Sequence, residues 1–163
     1  MDDTVQPFTM HVEDAVLDDL RMRLGRTRWP GAGLGAPWSQ GTDLATLQEL
    51  CAHWAGPYDW RAAEARANAW PQVHTSIDGQ PVHAFHVRSP EPTARPLVVL
   101  HGWPSVNTEF LGLLGPLTDP VAHGGSAADA FHVVAPSLPG FGWSGPTRRP
   151  GWTPHRIAGA VVE

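Results

Sequence analysis

Apolar residues recur at helical spacing along the chain up to about Pro71. One face of the first predicted helix is formed by Val12, Val16, Leu17, Leu20 and Leu24. We expect this helix to end at the Arg-Trp-Pro-Gly segment 28–31. A second amphipathic helix is predicted from Leu44, Leu47, Leu50, Cys51 and Trp54, and Gly56-Pro57 ends it. Asp59 is the predicted N-cap of a third helix over 60–70.

The spacing of apolar residues changes from helical to strand-like after Pro71. Segments 73–77 and 82–87 read as strands on either side of Asp78-Gly79, a pair that favours a tight hairpin turn. The runs 97–100 and 131–136 are continuously apolar, as expected of strands buried on both faces of a mostly parallel sheet. Helices are predicted over 108–117 and from Thr153-Pro154 onward. The order predicts an α/β fold over 73–163, preceded by a helical N-terminal arm over 1–72.

Composition narrows the classes of protein. The net charge is −5 and no basic run is present, which argues against a nucleic-acid partner or an anionic membrane surface. No apolar run follows the acidic start, so no signal peptide is predicted. The single cysteine, Cys51, cannot form an internal disulfide, and we therefore expect a cytoplasmic protein. The eight tryptophans predict a substantial buried aromatic core.

His101-Gly102-Trp103-Pro104 follows the first apolar strand, at the end where α/β sheets place their active sites. Gly102 permits close backbone approach, and Pro104 fixes the turn without offering a donor of its own. The Trp103 N–H would then be available to stabilise an oxyanion, which is worth about 3 kcal/mol per donor. We expect His101 to hydrogen-bond its own loop rather than to act as an acid or base. The alternative is a strand-ending turn without a catalytic role.

A glycine-rich loop follows the second apolar strand. Residues 140–145 match the G-x-G-x-x-G pattern, but Pro146 and Pro150 prevent the helix that a dinucleotide site needs. Ser144 is not an esterase serine either, because that elbow requires glycine where Pro146 stands. We predict that Gly140 and Gly142 shape a turn whose amides surround a structural Ser144 hydroxyl.

The other polar candidates are weaker. His83 and His86 lie three apart on a predicted strand and project to opposite faces, so no metal site is predicted from them. Glu109 has two open readings: a hydrogen bond to the oxyanion loop, or a solvated helix residue.

Several segments together resemble the epoxide hydrolases of the microsomal and juvenile-hormone type, in bacterial form. They are Leu-His-Gly-Trp-Pro at 100–104, Phe-His-Val-Val-Ala-Pro-Ser-Leu-Pro-Gly-Phe-Gly-Trp-Ser-Gly at 131–145, Arg-Thr-Arg-Trp-Pro at 26–30 and Tyr-Asp-Trp-Arg at 58–61. The resemblance runs from about Phe8 to the end, and the family's N-terminal region would span roughly 5–112. One departure is Ser105-Val106, where the family usually has Gly-Ser.

The resemblance implies an α/β-hydrolase fold and conversion of epoxides to vicinal diols, a detoxification reaction that needs water but no metal or cofactor. In that family an Asp attacks the epoxide carbon, two tyrosines protonate the ring oxygen, and a His paired with a carboxylate activates water. The Trp103 N–H would serve hydrolysis of the alkyl-enzyme ester. Tyr58 is the only tyrosine and lies in the helical arm, so the paired ring-opening tyrosines are expected beyond residue 163. No nucleophile elbow is recognised in the sequence, so the nucleophile and the base are expected there as well.

Two alternatives stay open at this point. One is a non-catalytic stand-alone module, and the other is the start of a haloalkane dehalogenase or an esterase. In each enzyme reading the sheet is incomplete, so we expect the sequence to be part of a longer protein. Strands 97–100 and 131–135 would then expose an apolar edge, and self-association, including a homo-oligomer, is expected in isolation.

Residues 1–163 alone are expected to form no diol from styrene oxide, because the groups that open the ring are absent from the sequence. The measurement is product analysis with the purified polypeptide and a boiled control. Diol formation that boiling abolishes would contradict this prediction.

Overall fold

A five-stranded mixed sheet is the main element of the computed structural model, which describes residues 4–162. The strands are β1 (Gln6–Pro7), β2 (Gln72–Ile77), β3 (Gln80–Val87), β4 (Arg95–Val98) and β5 (Phe131–Pro136). The helices are α1 (Asp14–Gly25), α2 (Leu44–Ala55), α3 (Trp60–Asn68), α4 (Leu111–Thr118) and α5 (Pro154–Val162). Residues 1–3, on which the signal-peptide argument rests, lie outside the described part of the chain.

The sheet has the order β1-β2-β3-β5-β4. All neighbouring strands are antiparallel except β4 and β5, which are parallel. The β2–β3 hairpin confirms the predicted turn: Asp78 and Gly79 both adopt positive φ, at 53° and 76°. Two successive positive φ values give the turn a twist that matches the flanking strands, and Ile77 pairs with Gln80 directly beside it.

The predicted burial of strand 97–100 on both faces is wrong. β4 is an edge strand, and its side chains alternate. Leu97 and Val99 pack against the core, whereas Val98 and Leu100 are 46% and 51% exposed. The pairing itself continues past the strand's assigned end, since the Val99 N–H donates to the Val134 carbonyl at 3.0 Å. An apolar run therefore formed a strand here, but the described residues cover only one of its faces.

The hydrophobic core around the sheet lies between the sheet and α4. Its fully buried members include Phe85, Leu114, Val133 and Ala135. A 3₁₀ turn at Asn107–Phe110 precedes α4, so the helix predicted over 108–117 is divided into two pieces. The predicted start of the last helix is confirmed by α5, which begins at Pro154.

The chain separates into two compact units, residues 11–64 and residues 4–10 with 65–162. The predicted domain boundary at residue 72 stays a prediction. Compactness divides the chain differently because β1 pairs with β2, Gln6 opposite His74 and Pro7 opposite Val73. The change of unit falls within α3, between residues 64 and 65.

The unit of residues 11–64 contains α1, α2 and the start of α3. α1 ends at Gly25, earlier than predicted, at the residue with the poorest helix propensity after proline. The predicted cap at Asp59 is confirmed, since its Oδ1 accepts from the Ala62 N–H at 2.9 Å. α2 has the predicted end, with Gly56 as its C-cap.

Several apolar side chains are more exposed than the helical pattern predicts. Val16 on α1 is 58% exposed, and Leu50 on α2 is 61% exposed. None of the eight tryptophans, all within the described residues, is fully buried, and Trp38, Trp54 and Trp103 are exposed. Trp70 and Trp143 nevertheless pack half-buried against the core beside the fully buried Phe85, so the predicted aromatic core is confirmed only in part.

Glu64 is the main polar anchor of the unit 11–64. Its Oε1 accepts from the Val12 N–H at 2.6 Å and from the Trp60 Nε1–H at 3.0 Å. Its Oε2 accepts from Arg61 at 2.6 Å. Burial alone would raise the pKa of Glu64, but these three hydrogen bonds outweigh it and hold the pKa below its usual value. The carboxylate therefore ties the segment before α1 to the first turn of α3.

We expect Glu64→Gln to lower the free energy of unfolding by about 1–2 kcal/mol. The glutamine amide cannot make the charge-assisted hydrogen bond with Arg61, and its NH₂ group would face the Arg61 guanidinium as a second donor. Urea unfolding followed by circular dichroism measures the change. Glu49→Gln, at an exposed position of α2, is the matched control and should change stability little. Equal effects of the two substitutions would contradict the anchoring role.

Candidate functional site

The segment His101–Pro104 leaves the sheet just after β4, beside the end of β5. The Trp103–Pro104 peptide bond is cis. The Trp103 ring is 83% exposed, whereas the His101 side chain is buried. The loop therefore has one side chain anchored in the fold and the next one directed outward.

His101 is held by backbone groups on both ring nitrogens. Its Nε2 lies 3.0 Å from the Leu138 nitrogen, whose N–H donates to it. An acceptor nitrogen has no proton, so the ring proton is on Nδ1, which lies 3.3 Å from the Gly102 carbonyl oxygen. The ring also meets Phe141 edge-on, with centroids 5.2 Å apart. His101 is therefore a neutral imidazole whose two nitrogens are both engaged within the fold.

The Gly102 carbonyl decides the direction of the Trp103 amide. Its oxygen accepts from His101 Nδ1 and also from the Ser105 N–H, at 2.8 Å. The Gly102–Trp103 peptide is trans, and in a trans peptide the C=O and N–H bonds point in opposite directions. The Trp103 N–H consequently points away from His101 and Ser105. Among residues 4–162 it donates to no acceptor.

Glu109 contacts this loop from the turn that follows it. The Ser105 hydroxyl, directly after segment 101–104, donates to Glu109 Oε2 at 2.6 Å. Glu109 is also exposed, so it is a solvated residue that makes a hydrogen bond to this loop. Ser105 occupies the position where the resemblance implied glycine. Its side chain therefore adds a contact within the loop, and its N–H still reaches the Gly102 carbonyl.

Ser144 uses its hydroxyl within the fold. It donates to the Ser137 carbonyl and accepts from the His83 N–H at 3.0 Å. The predicted gathering of loop amides around Ser144 is wrong, because the N–H that it receives belongs to β3. Gly142 has a φ of 46°, and a Cβ there would lie 3.1 Å from the Ser137 hydroxyl. The tight turn thus depends on glycine for both its backbone angle and its space.

Gln80 is a buried residue that the sequence did not single out. Its Nε2 donates to the Ser144 carbonyl at 3.0 Å, and its Oε1 accepts from the Arg148 N–H at 3.0 Å. The side chain thereby satisfies backbone groups of the segment after the glycine-rich loop. Its partners lie 64 and 68 positions further along the chain, so local pattern offers no signal for it.

His83 is the second unexpected residue, and it is fully buried. Its Nε2 lies 2.9 Å from Gln72 Oε1, an acceptor, and therefore carries the proton. Its Nδ1 is left as the acceptor for the Ser137 hydroxyl at 3.2 Å and for Asn107 Nδ2 at 3.3 Å. Burial, together with a smaller effect of the nearby His74, lowers the pKa of His83 to about 4. His83 is thus neutral at physiological pH.

No metal-binding cluster is present in the part of the chain that the structure describes. His83 faces the core and His86 is half-buried on the other face of β3, as their spacing predicts.

The family model described as "Epoxide hydrolase N terminus" matches residues 5–110. The chain belongs to this family. A putative epoxide hydrolase of Stigmatella aurantiaca is 49% identical over 98% of this chain and 36% of its own length. Epoxide hydrolase 1 of Sus scrofa is 32% identical over 99% of this chain and 36% of its own length. The chain therefore spans about a third of the length of the curated relatives that it matches.

Solved structures agree on the fold. An enantioselective mutant of the Aspergillus niger epoxide hydrolase, obtained by directed evolution, superimposes with a TM-score of 0.83 at 30% identity, covering 98% of this chain and 41% of that one. The juvenile hormone epoxide hydrolase of Bombyx mori gives 0.83 at 28% identity, covering 96% and 37%. The predicted α/β-hydrolase fold with a helical N-terminal region is confirmed, and the five strands form part of that fold. In residues 4–162 no helix is long and apolar enough to cross a membrane.

The His83 environment predicts acid sensitivity. The folded chain keeps the ring neutral down to about pH 4, whereas in the unfolded chain it takes up a proton below about pH 6.5. This contribution to stability is therefore complete above about pH 6.5 and falls with pH, by about 3 kcal/mol at pH 4. Urea unfolding of residues 1–163 between pH 7 and pH 4 measures it.

Two controls isolate this effect from other titrating groups. An NMR titration of the His83 ring should show no protonation until near pH 4, and titration near pH 6.5 would contradict the prediction. His155→Gln, at an exposed position of α5, should leave the pH dependence unchanged, whereas His83→Gln should reduce it.

Proposed function

We propose that this chain is the part of an epoxide hydrolase that provides the oxyanion loop 101–104, and that the complete enzyme converts small-molecule epoxides to vicinal diols. The observation that carries the proposal is the Trp103 N–H, directed away from the anchored Gly102 carbonyl in a member of the epoxide hydrolase N-terminus family. The named epoxide hydrolases among its relatives support the substrate class.

The reaction would proceed through an ester. A carboxylate oxygen of an Asp attacks an epoxide carbon, the carbon–oxygen bond of the ring breaks, and tyrosines protonate the departing oxygen. Water activated by a His–carboxylate pair then attacks the ester carbonyl carbon and gives a tetrahedral oxyanion. Collapse of that intermediate releases the diol and restores the Asp carboxylate. In this proposal the Asp, the tyrosines and the His pair belong to the complete enzyme outside positions 1–163.

The Trp103 N–H would donate to that oxyanion in the second step. The neutral His101 would hold the donor's direction through the Gly102 carbonyl, and Pro104 would follow without competing as a donor. Gly140, Gly142 and Ser144 would fix the neighbouring loop that supplies the Leu138 N–H. These roles require a backbone donor and fixed geometry, but neither a metal ion nor an organic cofactor.

The proposal extends to the cellular setting. A net charge of −5 and a single cysteine favour a cytoplasmic enzyme that detoxifies epoxides, without a nucleic-acid partner or a membrane surface. In isolated residues 1–163, the half-exposed Val98 and Leu100 at the sheet edge favour self-association, including a homo-oligomer.

A chimaera tests the function. Residues 1–163 replace the matching N-terminal part of the Stigmatella aurantiaca relative, whose remaining residues follow unchanged. We expect the chimaera to convert styrene oxide to its diol, measured by chromatography, because this chain would supply the oxyanion loop and its support. A folded chimaera without diol formation, alongside an active relative, would contradict the proposal.

The donor itself can be removed in the chimaera by replacing residue 103 with the α-hydroxy analogue of tryptophan, which turns the Trp103 amide into an ester. Hydrolysis of the alkyl-enzyme should slow by about 10²–10³-fold, so that the covalent intermediate accumulates and is visible by mass spectrometry. Trp103→Phe keeps the N–H and should hydrolyse the intermediate at nearly the original rate. Unchanged hydrolysis of the alkyl-enzyme intermediate in the α-hydroxy variant would exclude the Trp103 N–H as a donor.

A further inference from the structure

Both ends of the loop between His101 and Asn107 are tied to one short stretch of chain. At the first end, His101 Nε2 accepts from the Leu138 N–H at 3.0 Å. At the second end, Asn107 Nδ2 donates to the Ala135 carbonyl at 2.8 Å. The residues between them, including Trp103, therefore span two fixed points at the carboxyl end of β5.

The Asn107 side chain is 1% exposed, and its donor end sets its orientation. Nδ2 faces the Ala135 carbonyl and also lies 3.3 Å from His83 Nδ1. Reversing the carboxamide would place Oδ1 against that carbonyl oxygen and against a ring nitrogen that accepts. Within residues 4–162 the Oδ1 has no partner, so it cannot be what holds the side chain in place.

His83 can support Asn107 only in one protonation state. Its Nε2–H is committed to Gln72 Oε1, which leaves the Nδ1 lone pair facing Asn107 and Ser137. Gln72 is itself fixed, since its Nε2 donates to Asn68 Oδ1 at 3.0 Å. A chain of polar side chains therefore runs from Asn68 of α3 through Gln72 and His83 to Asn107, which ends the loop that begins at His101.

We propose that Asn107, supported by His83, is a positioning residue for the Trp103 N–H. It fixes the far end of the loop whose near end His101 fixes, and so limits the directions available to the amide between them. The catalytic role of that amide rests on the proposed function, whereas the geometry by which Asn107 positions it does not.

The test uses residues 1–163 and NMR. In Asn107→Ala, the Gly102 and Trp103 amide resonances should shift, and exchange of the Leu138 N–H should accelerate by about tenfold or more, corresponding to about 1.4 kcal/mol of lost local stability. Thr118→Ala is the matched control, because the buried Thr118 hydroxyl donates to the Leu114 carbonyl at 2.8 Å and takes no part in this polar chain. It should lower the melting temperature without moving the Trp103 amide.

Equal responses to the two substitutions would overturn the proposal, since Asn107 would then act only through general stability. Asn107→Leu, which keeps the side-chain volume, replaces the alanine variant if that one does not fold. The unaltered chain also provides a direct measurement: a scalar coupling across the hydrogen bond from Asn107 Nδ2 to the Ala135 carbonyl should be detectable. Its absence together with rapid exchange of the Asn107 amide protons would overturn the proposal without any variant.

Activity separates this inference from the proposed function. In the chimaera, Asn107→Ala should slow ester hydrolysis, so kcat and KM should fall together while kcat/KM, set by alkylation, stays constant. Thr118→Ala should leave both parameters unchanged. An inactive chimaera would refute the proposed function and leave the NMR result to decide positioning. If the chimaera is active but the Trp103 amide resonance does not change in Asn107→Ala, the positioning role would be refuted and the proposed function would stand.

Discussion

The hydrogen bond from the Leu138 N–H to His101 Nε2 is the contact on which the geometry of the site depends. Because Nε2 accepts a hydrogen bond, the ring proton must be on Nδ1, and the Gly102 carbonyl accepts the hydrogen bond from Nδ1. Because that carbonyl is held, the Trp103 amide has its direction. The parallel pairing of β4 with β5 makes this contact available, since it brings the ends of both strands to the same edge of the sheet.

Features fixed by a few neighbouring residues could be predicted from the sequence. The Asp78-Gly79 turn needs two positive φ angles, and Asp-Gly is a pair that tolerates them. The Asp59 cap needs only a short side chain with an acceptor oxygen before a helix, and its hydrogen bond reaches Ala62, three residues further along the chain. The strand before His101 follows in the same way, and so does the contact of the His101 ring with the adjacent Gly102 carbonyl. Each of these signals acts over distances of a few residues.

Features that depend on the distant chain could not be predicted. The run 97–100 indicates a strand, but not that the strand lies at the edge of the sheet with Val98 exposed. The spacing of His83 and His86 separated their faces correctly, yet the partners of His83 lie 11, 24 and 54 positions away. Asn107 reads as an ordinary residue before a helix. Its role depends on a carbonyl that is 28 positions away and on a ring from another strand.

The carboxamide of Gln80 has a consequence for how this protein can vary. A two-residue hairpin turn is ordinarily a place where a chain tolerates insertions. Here the residue directly after the turn binds the backbone at Ser144 and Arg148, and Asp78 within the turn pairs with Arg156 of α5 at 3.0 Å. A longer or shorter turn would displace these contacts along with it. This surface hairpin therefore acts as a fixed spacer, and its length is set by the segment that follows the glycine-rich loop.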